Sequence, residues 1–193
     1  MPDLIASTVV LVEGDSDRLA LGALAERRGR DLGAEGVSIV AMGGATNAAA
    51  FLTRFGPLGS GRKLAGLCDA AEEGAFRRAL ERAGLGSVPT RAAMERLGFY
   101  VCVADLEDEL IRSLGVARVE EIVEAQGELR SFRTLQKQPA QKGRSLEAQL
   151  RRFIGSRAGR KAVYARLLVE ALDLARVPRP LDRVLADIGT SQL

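Results

Sequence analysis

Four short apolar runs, each followed by a turn and an amphipathic stretch, constrain the fold of this chain more than any other feature of its sequence. STVVLV (7–12) reads as a short buried strand, and DRLALGALAERRG (17–29) as a helix whose Leu19, Leu21, Ala23, Leu24 and Ala25 feed one apolar side. Asp15 or Ser16 is the expected N-cap of that helix and Gly29 its C-terminal stop. The pattern then repeats. VSIVAM (37–42) is a strand, GGATN a turn and AAAFLTRFG a helix; KLAGLCD (63–69) is a third strand, with a helix through EEGAFRRALERAG. GFYVCVAD (98–105) is a fourth, followed by LEDELIRSLG and a further helix, VARVEEIVEAQG. Strands that are apolar on both faces and alternate with helices specify a parallel sheet between helical layers, an open α/β architecture. Ligands of such folds gather at the carboxyl ends of the strands, where the strand order reverses.

From about residue 126 the texture changes. LRSFRTLQKQPAQKGRS is polar and basic, with Pro139 and Gly143 as breakers, while LEAQLRRFIG, KAVYARLLVEALDLA and the VPRPLDRVLADIG tail look helical. Residues 1–125 carry a net charge of −5 and residues 126–193 a net charge of +8. The expected organisation is therefore an α/β core over 1–125 and a basic, mainly helical C-terminal extension over 126–193. A length of 193 residues fits one domain with at most a small appendage, and 47% hydrophobic with 27% charged residues marks a chain that folds rather than stays disordered. No apolar run approaches the roughly 20 residues that cross a bilayer. The start MPDLIASTVV lacks the basic n-region of a secretory signal, so a cytoplasmic location away from membranes is expected.

Composition also limits the chemistry. The chain has no histidine, which removes the commonest metal ligand, the usual general base and every Ser-His or Cys-His pair. Cys68 and Cys102 both sit inside apolar runs and read as buried, inert thiols of a reducing compartment. Chemistry here must run on carboxylates, lysine, arginine, hydroxyls or a metal held by oxygen.

The carboxylates are placed for that last option. Three of the four expected strands end in acids: Glu13 after TVVLV, Asp69 after LAGLC, and Asp105 with Glu107 after FYVCVA. Parallel strands bring these ends to one sheet edge, where unneutralised acids repel one another. A hard divalent cation, Mg²⁺ or Mn²⁺, relieves that repulsion. Glu13 directly continues a buried strand and is followed by Gly14, which permits a tight turn or close ligand approach. Asp15, Glu72, Glu73 and Asp108 fit solvated turn and capping roles instead. GPLGSGRKL (56–64) and GSRAGRKAV (155–163) imitate a phosphate loop, but Arg62 and Arg160 occupy the lysine position, and no Gly-x-Gly-x-x-Gly follows the first strand. An ATPase or a nicotinamide dehydrogenase has little support.

At these residues the sequence resembles the TOPRIM domain, and within it the OLD (overcoming lysogenization defect) nucleases. VLVEGDSD matches a strand followed by Glu-Gly and an acid four residues after the glutamate; LCDAAEE, ADLEDELIRSLG and RKAVYARLLVEAL follow in the family's order. The resemblance implies a Rossmann-like TOPRIM fold with about four mostly parallel strands, and metal-dependent cleavage of DNA as an endonuclease or nickase in phage defence or DNA repair. It implies that Glu13 and Asp17 hold one Mg²⁺ or Mn²⁺ ion, that Asp69 and Glu107 hold or share a second, and that Lys161 stabilises charge on the scissile phosphate. Asp105 and Glu109 are further ligand candidates.

The sequence departs from the family at Asp69-Ala70-Ala71, where Asp-x-Asp is common, so Glu72 or Glu73 is expected to substitute. OLD proteins usually carry an ATPase domain ahead of this one, which makes a separate ATPase subunit an expected partner and a homo-oligomer a further option. The alternative is a non-catalytic TOPRIM-shaped module that binds nucleic acid or protein. Arg133, Lys137, Lys142, Arg144 and Arg160, with Arg130, Arg151, Arg152 and Arg157, are candidate phosphate contacts on DNA. Tyr100 and Tyr164 fall inside expected elements and read as core residues rather than strand-passing nucleophiles.

Overall fold

The computed structural model describes residues 6–157 and 159–189. Its sheet has four strands, β1 (Thr8–Val12), β2 (Val37–Ala41), β3 (Lys63–Asp69) and β4 (Phe99–Cys102), in the order β2-β1-β3-β4, all parallel. The register pairs Val10 with Ile39 on one side and with Ala65 on the other, so β1 is central and buried along its whole length. The chain steps from β1 to β2 and then returns past β1 to β3. The strand order therefore reverses between β1 and β3, and Glu13 and Asp69 stand at that switch point.

Two apolar clusters cover the two faces. On one, α2 (Ala48–Phe55), α3 (Glu73–Arg82) and α4 (Arg91–Arg96) pack Leu52, Phe76, Leu80 and Met94 against Val9, Leu11 and Phe99. On the other, α1 (Asp15–Arg27), α5 (Leu106–Leu114) and α6 (Val116–Ala125) share a cluster with Val10 and Val12. That cluster also takes in α7 (Leu129–Gln136), α8 (Leu146–Ile154), α9 (Arg160–Ala171) and α10 (Arg179–Gly189). The segment after residue 126 thus contributes Phe132, Leu150, Tyr164, Leu168 and Leu185 to the cluster that covers β1. Phe153 packs edge-on against both Phe132 and Tyr164, which ties α7, α8 and α9 together.

Several local expectations change. LRSFRTLQ, polar by composition, forms α7 because Phe132 and Leu135 recur three residues apart and are both buried. The short α4, capped by Thr90, precedes β4. The fourth strand ends at Cys102, so Asp105 is not its last residue but the N-cap of α5, its Oδ1 accepting the Asp108 N–H at 2.9 Å. Gly14, not Asp15 or Ser16, caps α1, and Gly29 follows that helix in a left-handed conformation as expected. One glycine of β3 is demanded by packing: a Cβ on Gly66 would lie 2.4 Å from the Leu11 carbonyl oxygen and 3.0 Å from the Phe99 ring. Both cysteines are buried and free, with burial pushing the Cys68 thiol up to about 12. Among the described residues no helix is long and apolar enough to cross a membrane.

Candidate metal centre

The sheet's carboxyl edge opens into a cleft of about 390 Å³. Glu13 enters it from the end of β1, Asp17 from the first turn of α1, Asp69 from the end of β3, Asp105 and Glu107 from the start of α5, and Lys161 from the start of α9. The cleft therefore brings together five of the six acids that the sequence offers as metal ligands, all but Glu109, together with the lysine. Parallel strands fix the first and third, and helix starts fix the rest. The first turns of α1, α5 and α9 all face the cleft, so their partial positive ends offset some of the acids' charge and favour an anion such as phosphate.

Gly14 also lines this cleft, but its backbone is extended, at φ −142°, and a Cβ there would meet only the Asp17 carboxylate at 3.7 Å. No tight turn requires glycine. What its missing side chain provides is space at the mouth of the site.

The electrostatics show more acid than the protein itself neutralises. Burial, followed by the charges of Glu13, Asp105, Asp17 and Glu107, pushes Asp69 up to about 7. Burial likewise raises Asp17 to about 6, against the lowering effect of the Gly14 N–H that donates to its Oδ2 at 2.8 Å; Glu107 and Glu13 raise it further. Glu107 is 1% exposed and is raised by its burial, with Lys161 as the main opposing influence. Lys161 Nζ donates to Glu107 Oε2 at 3.0 Å. Glu107 Oε1 is buried with no hydrogen-bond partner, a costly state for a carboxylate oxygen. Partial burial pulls Lys161 down, but Glu107 beside it holds it above the ordinary lysine range, so it keeps its proton.

An orphaned carboxylate oxygen beside acids that raise one another is a donor set that fits a hard cation. Among the described residues no group of three or more acids or cysteines stands close enough together to hold a metal ion. The fit is to an ion of the Mg²⁺ kind, held by one or two carboxylates at a time with the remaining positions left to water or substrate oxygens.

Other expected residues are engaged by protein groups or lie outside the cleft. Asp105 lines the cleft, but both its oxygens are engaged, one as the α5 cap and the other by Arg151 Nε at 2.6 Å. Glu109 turns away, accepting the Val103 N–H at 2.8 Å and pairing with Arg112. Neither Glu72 nor Glu73 lines the cleft, and Glu73 is held by Arg91 at 2.6 Å, so neither replaces the acid absent at Ala71. Asp15 lines the mouth of the cleft but is exposed and pairs with Arg18. Tyr100 and Tyr164 are buried and bonded to Asp187 and Glu128.

Of the expected phosphate contacts, Arg160 is the clear correction. It is 7% exposed, lies 4.1 Å over the Phe153 ring, and donates to the Phe153 carbonyl, Ser156 Oγ and Glu128 Oε1. Tyr164 donates to the other Glu128 oxygen. Against the effect of burial, the bonds from Tyr164 and Arg160 hold the Glu128 carboxyl below the usual range. The network fixes the entry to α9, where Gly159 supplies the left-handed N-cap at φ +78°, and so it fixes the helix turn that carries Lys161. Sequence reasoning missed this role; the only signal was that Arg160 precedes the apolar run of α9. Arg133 is tied to Glu120 on α6, whereas Lys137 and Lys142 are exposed.

Fold and site together define an open α/β domain with an acid cleft at its topological switch point. Residues 4–69 match the family model of the overcoming lysogenization defect protein-like TOPRIM domain. The C-terminal region of the Xanthomonas campestris pv. campestris OLD protein superposes with a TM-score of 0.70 at 23% identity, over 96% of this chain and 95% of that one. The C-terminal region of the Burkholderia pseudomallei OLD protein gives 0.66 at 21% identity, over 95% and 97% respectively. No curated protein matches the chain. The chain is thus similar to OLD-like TOPRIM domains over residues 4–69, and it shares the fold of OLD C-terminal regions over nearly its whole length. The family match ends at Asp69, so Glu107 and Lys161 lie beyond it, within the span where the likeness is one of fold.

Proposed function

We propose that the acid cleft hydrolyses phosphodiester bonds of DNA with Mg²⁺ or Mn²⁺, as an endonuclease or nickase. The observation that carries this reading is the convergence of Glu13, Asp17, Asp69 and Glu107 on one cleft in which Glu107 Oε1 lacks any partner. Glu13 and Asp17 would hold one ion, and Asp69 with Glu107 a second. Bound there, the ions supply charge neutralisation at the phosphate and water of lowered pKa.

The chain's own residues do the rest. Lys161, protonated and half exposed, presents an ammonium to a phosphate oxygen while its bond to Glu107 aims it. The helix starts of α1 and α9 turn backbone N–H groups toward the same anion. Gly14 leaves room for the sugar-phosphate chain to approach the carboxylates. The test is to incubate purified protein with supercoiled plasmid and Mn²⁺. Nicking or linearisation that disappears in Glu13→Ala supports the reading, and cleavage unaffected by Glu13→Ala removes this site from it.

A second reading is a non-catalytic nucleic-acid-binding module that works with a separate ATPase. It is favoured by Ala71, where the family often has an acid, and by the failure of Glu72 and Glu73 to reach the cleft. It predicts salt-sensitive DNA binding without cleavage in any divalent metal.

A further inference from the structure

Beside the acid cleft lies a second groove, of about 350 Å³, lined by Arg144, Arg151, Arg152, Gly155 and Ala148 and sharing Asp105 and Lys161 with the first. Its charge is opposite in sign. About half of the arginines elsewhere face a carboxylate, as Arg28 faces Asp182 and Arg179 faces Glu95. Arg144 and Arg152 have no ion-pair partner among the described residues, and both are exposed. Arg151 is bonded only through Nε, to Asp105, which leaves both terminal nitrogens without a partner. Asp105 is itself fixed as the α5 cap, so Arg151 is oriented before any ligand arrives. Uncompensated, forked donors in a groove that opens onto an acid cleft suit a phosphate, because the guanidinium plane matches two phosphate oxygens at once.

We infer that the α8 groove is a second phosphate site, which holds the backbone phosphate neighbouring the one placed in the acid cleft, so that the ligand is a polynucleotide strand rather than a mononucleotide. This rests on the proposed phosphodiester chemistry for the identity of the neighbouring site. The groove's own occupancy is separable from it. Lys161 marks the boundary, with Glu107 on the acid side and Arg151 and Arg152 on the other. No base-reading group is needed, because arginine contacts to phosphates position a strand without reading sequence.

The experiment measures binding of a fluorescently labelled DNA duplex to the full chain in EDTA across a salt series, so that no cation site and no hydrolysis contributes. Each phosphate contact steepens the salt dependence of affinity by about 0.9 in a log-log plot. The double variant Arg144→Ala/Arg152→Ala is expected to lower the slope by about 2 and to keep the wild-type melting temperature. Arg78→Ala/Arg82→Ala, on α3 across the sheet, is expected to leave the slope unchanged. An unchanged slope in the groove variant, an equal loss in the α3 variant, or a wild type that does not bind the duplex even at low salt would each overturn the inference. A slope change without any Mn²⁺-dependent cleavage would count against the hydrolytic reading alone.

Discussion

Arg160 and Lys161 are neighbours in sequence at the start of α9, and they serve two regions that treat charge in opposite ways. Around Arg160 the acid has a built-in cation: Glu128 accepts from Arg160 and from Tyr164, and Arg160 is itself buried. Around Lys161, five carboxylates share one ammonium, with Arg151 spent on Asp105. The first arrangement is closed and holds the helix turn in place. The second is left short of positive charge at the sheet's switch point, and that shortage distinguishes a binding site from a structural ion pair.

The comparison can be broken most sharply on the open side. Glu13→Gln is expected to reduce Mn²⁺-dependent plasmid cleavage to the level seen in EDTA, read on an agarose gel, with the fold intact by circular dichroism. Lys161→Ala should keep Mn²⁺ binding but lower kcat by about 10²–10³-fold, the usual loss when one donor to a developing oxyanion is removed. Steady-state kinetics would check this, and a loss seen only in KM would reassign Lys161 to substrate binding.

The closed side is expected to matter less to the reaction and more to stability. Arg160→Gln should lower kcat by roughly tenfold to a hundredfold, as loss of an outer supporting bond commonly does. It should also lower the melting temperature, because Glu128 then keeps only Tyr164 as a partner. Arg160→Lys should recover part of the rate if positioning of Lys161 is the cause. A rate that stays at wild-type level while the melting temperature falls would leave the network a purely structural role.

A smaller effect follows from pH. Asp17 and Asp69 are raised to about 6 and about 7, above their unfolded values, so in metal-free protein the stability they contribute is fully present below about pH 4. It is lost as pH rises through 6 and 7 and both become charged. A divalent cation that binds the charged forms should restore stability only at the upper end. Differential scanning fluorimetry is expected to show a Mg²⁺-induced rise in melting temperature near pH 8 and little or none near pH 5; equal shifts at both would mean that Mg²⁺ acts elsewhere. Asp15→Asn, at an exposed ion pair with Arg18, should change neither cleavage nor melting measurably.

Much of this was legible in the chain because apolar runs report burial. TVVLV and LAGLC mark strands β1 and β3, and an acid directly after a buried strand must emerge at the sheet edge, which places Glu13 and Asp69. Asp17 was pointed to by the resemblance, as the acid four residues after Glu13, and the first turn of α1 carries it into the cleft. Glu107 was legible as an acid just after the fourth apolar run, and Lys161, distant from these in sequence, was pointed to only by the resemblance to a known family.

Arg160 was misjudged for a physical reason. Counting basic residues treats a guanidinium as a solvated charge, whereas this one is buried under Phe153 and paired with an acid 32 residues away. Asp105 likewise passes for a strand-end acid until β4 is seen to stop at Cys102. The α7 helix was obscured by its polar composition, because two buried positions are enough to fix it once α6 and α8 supply the wall.

The central claim is that the carboxylates at the switch point form a cation site serving phosphodiester chemistry. Crystals soaked in Mn²⁺ and measured for anomalous scattering would test it most directly. The account predicts anomalous density in the cleft among Glu13, Asp17, Asp69 and Glu107, lost in crystals of Glu13→Gln. Saturating Mn²⁺ that leaves this cleft without anomalous density would contradict it.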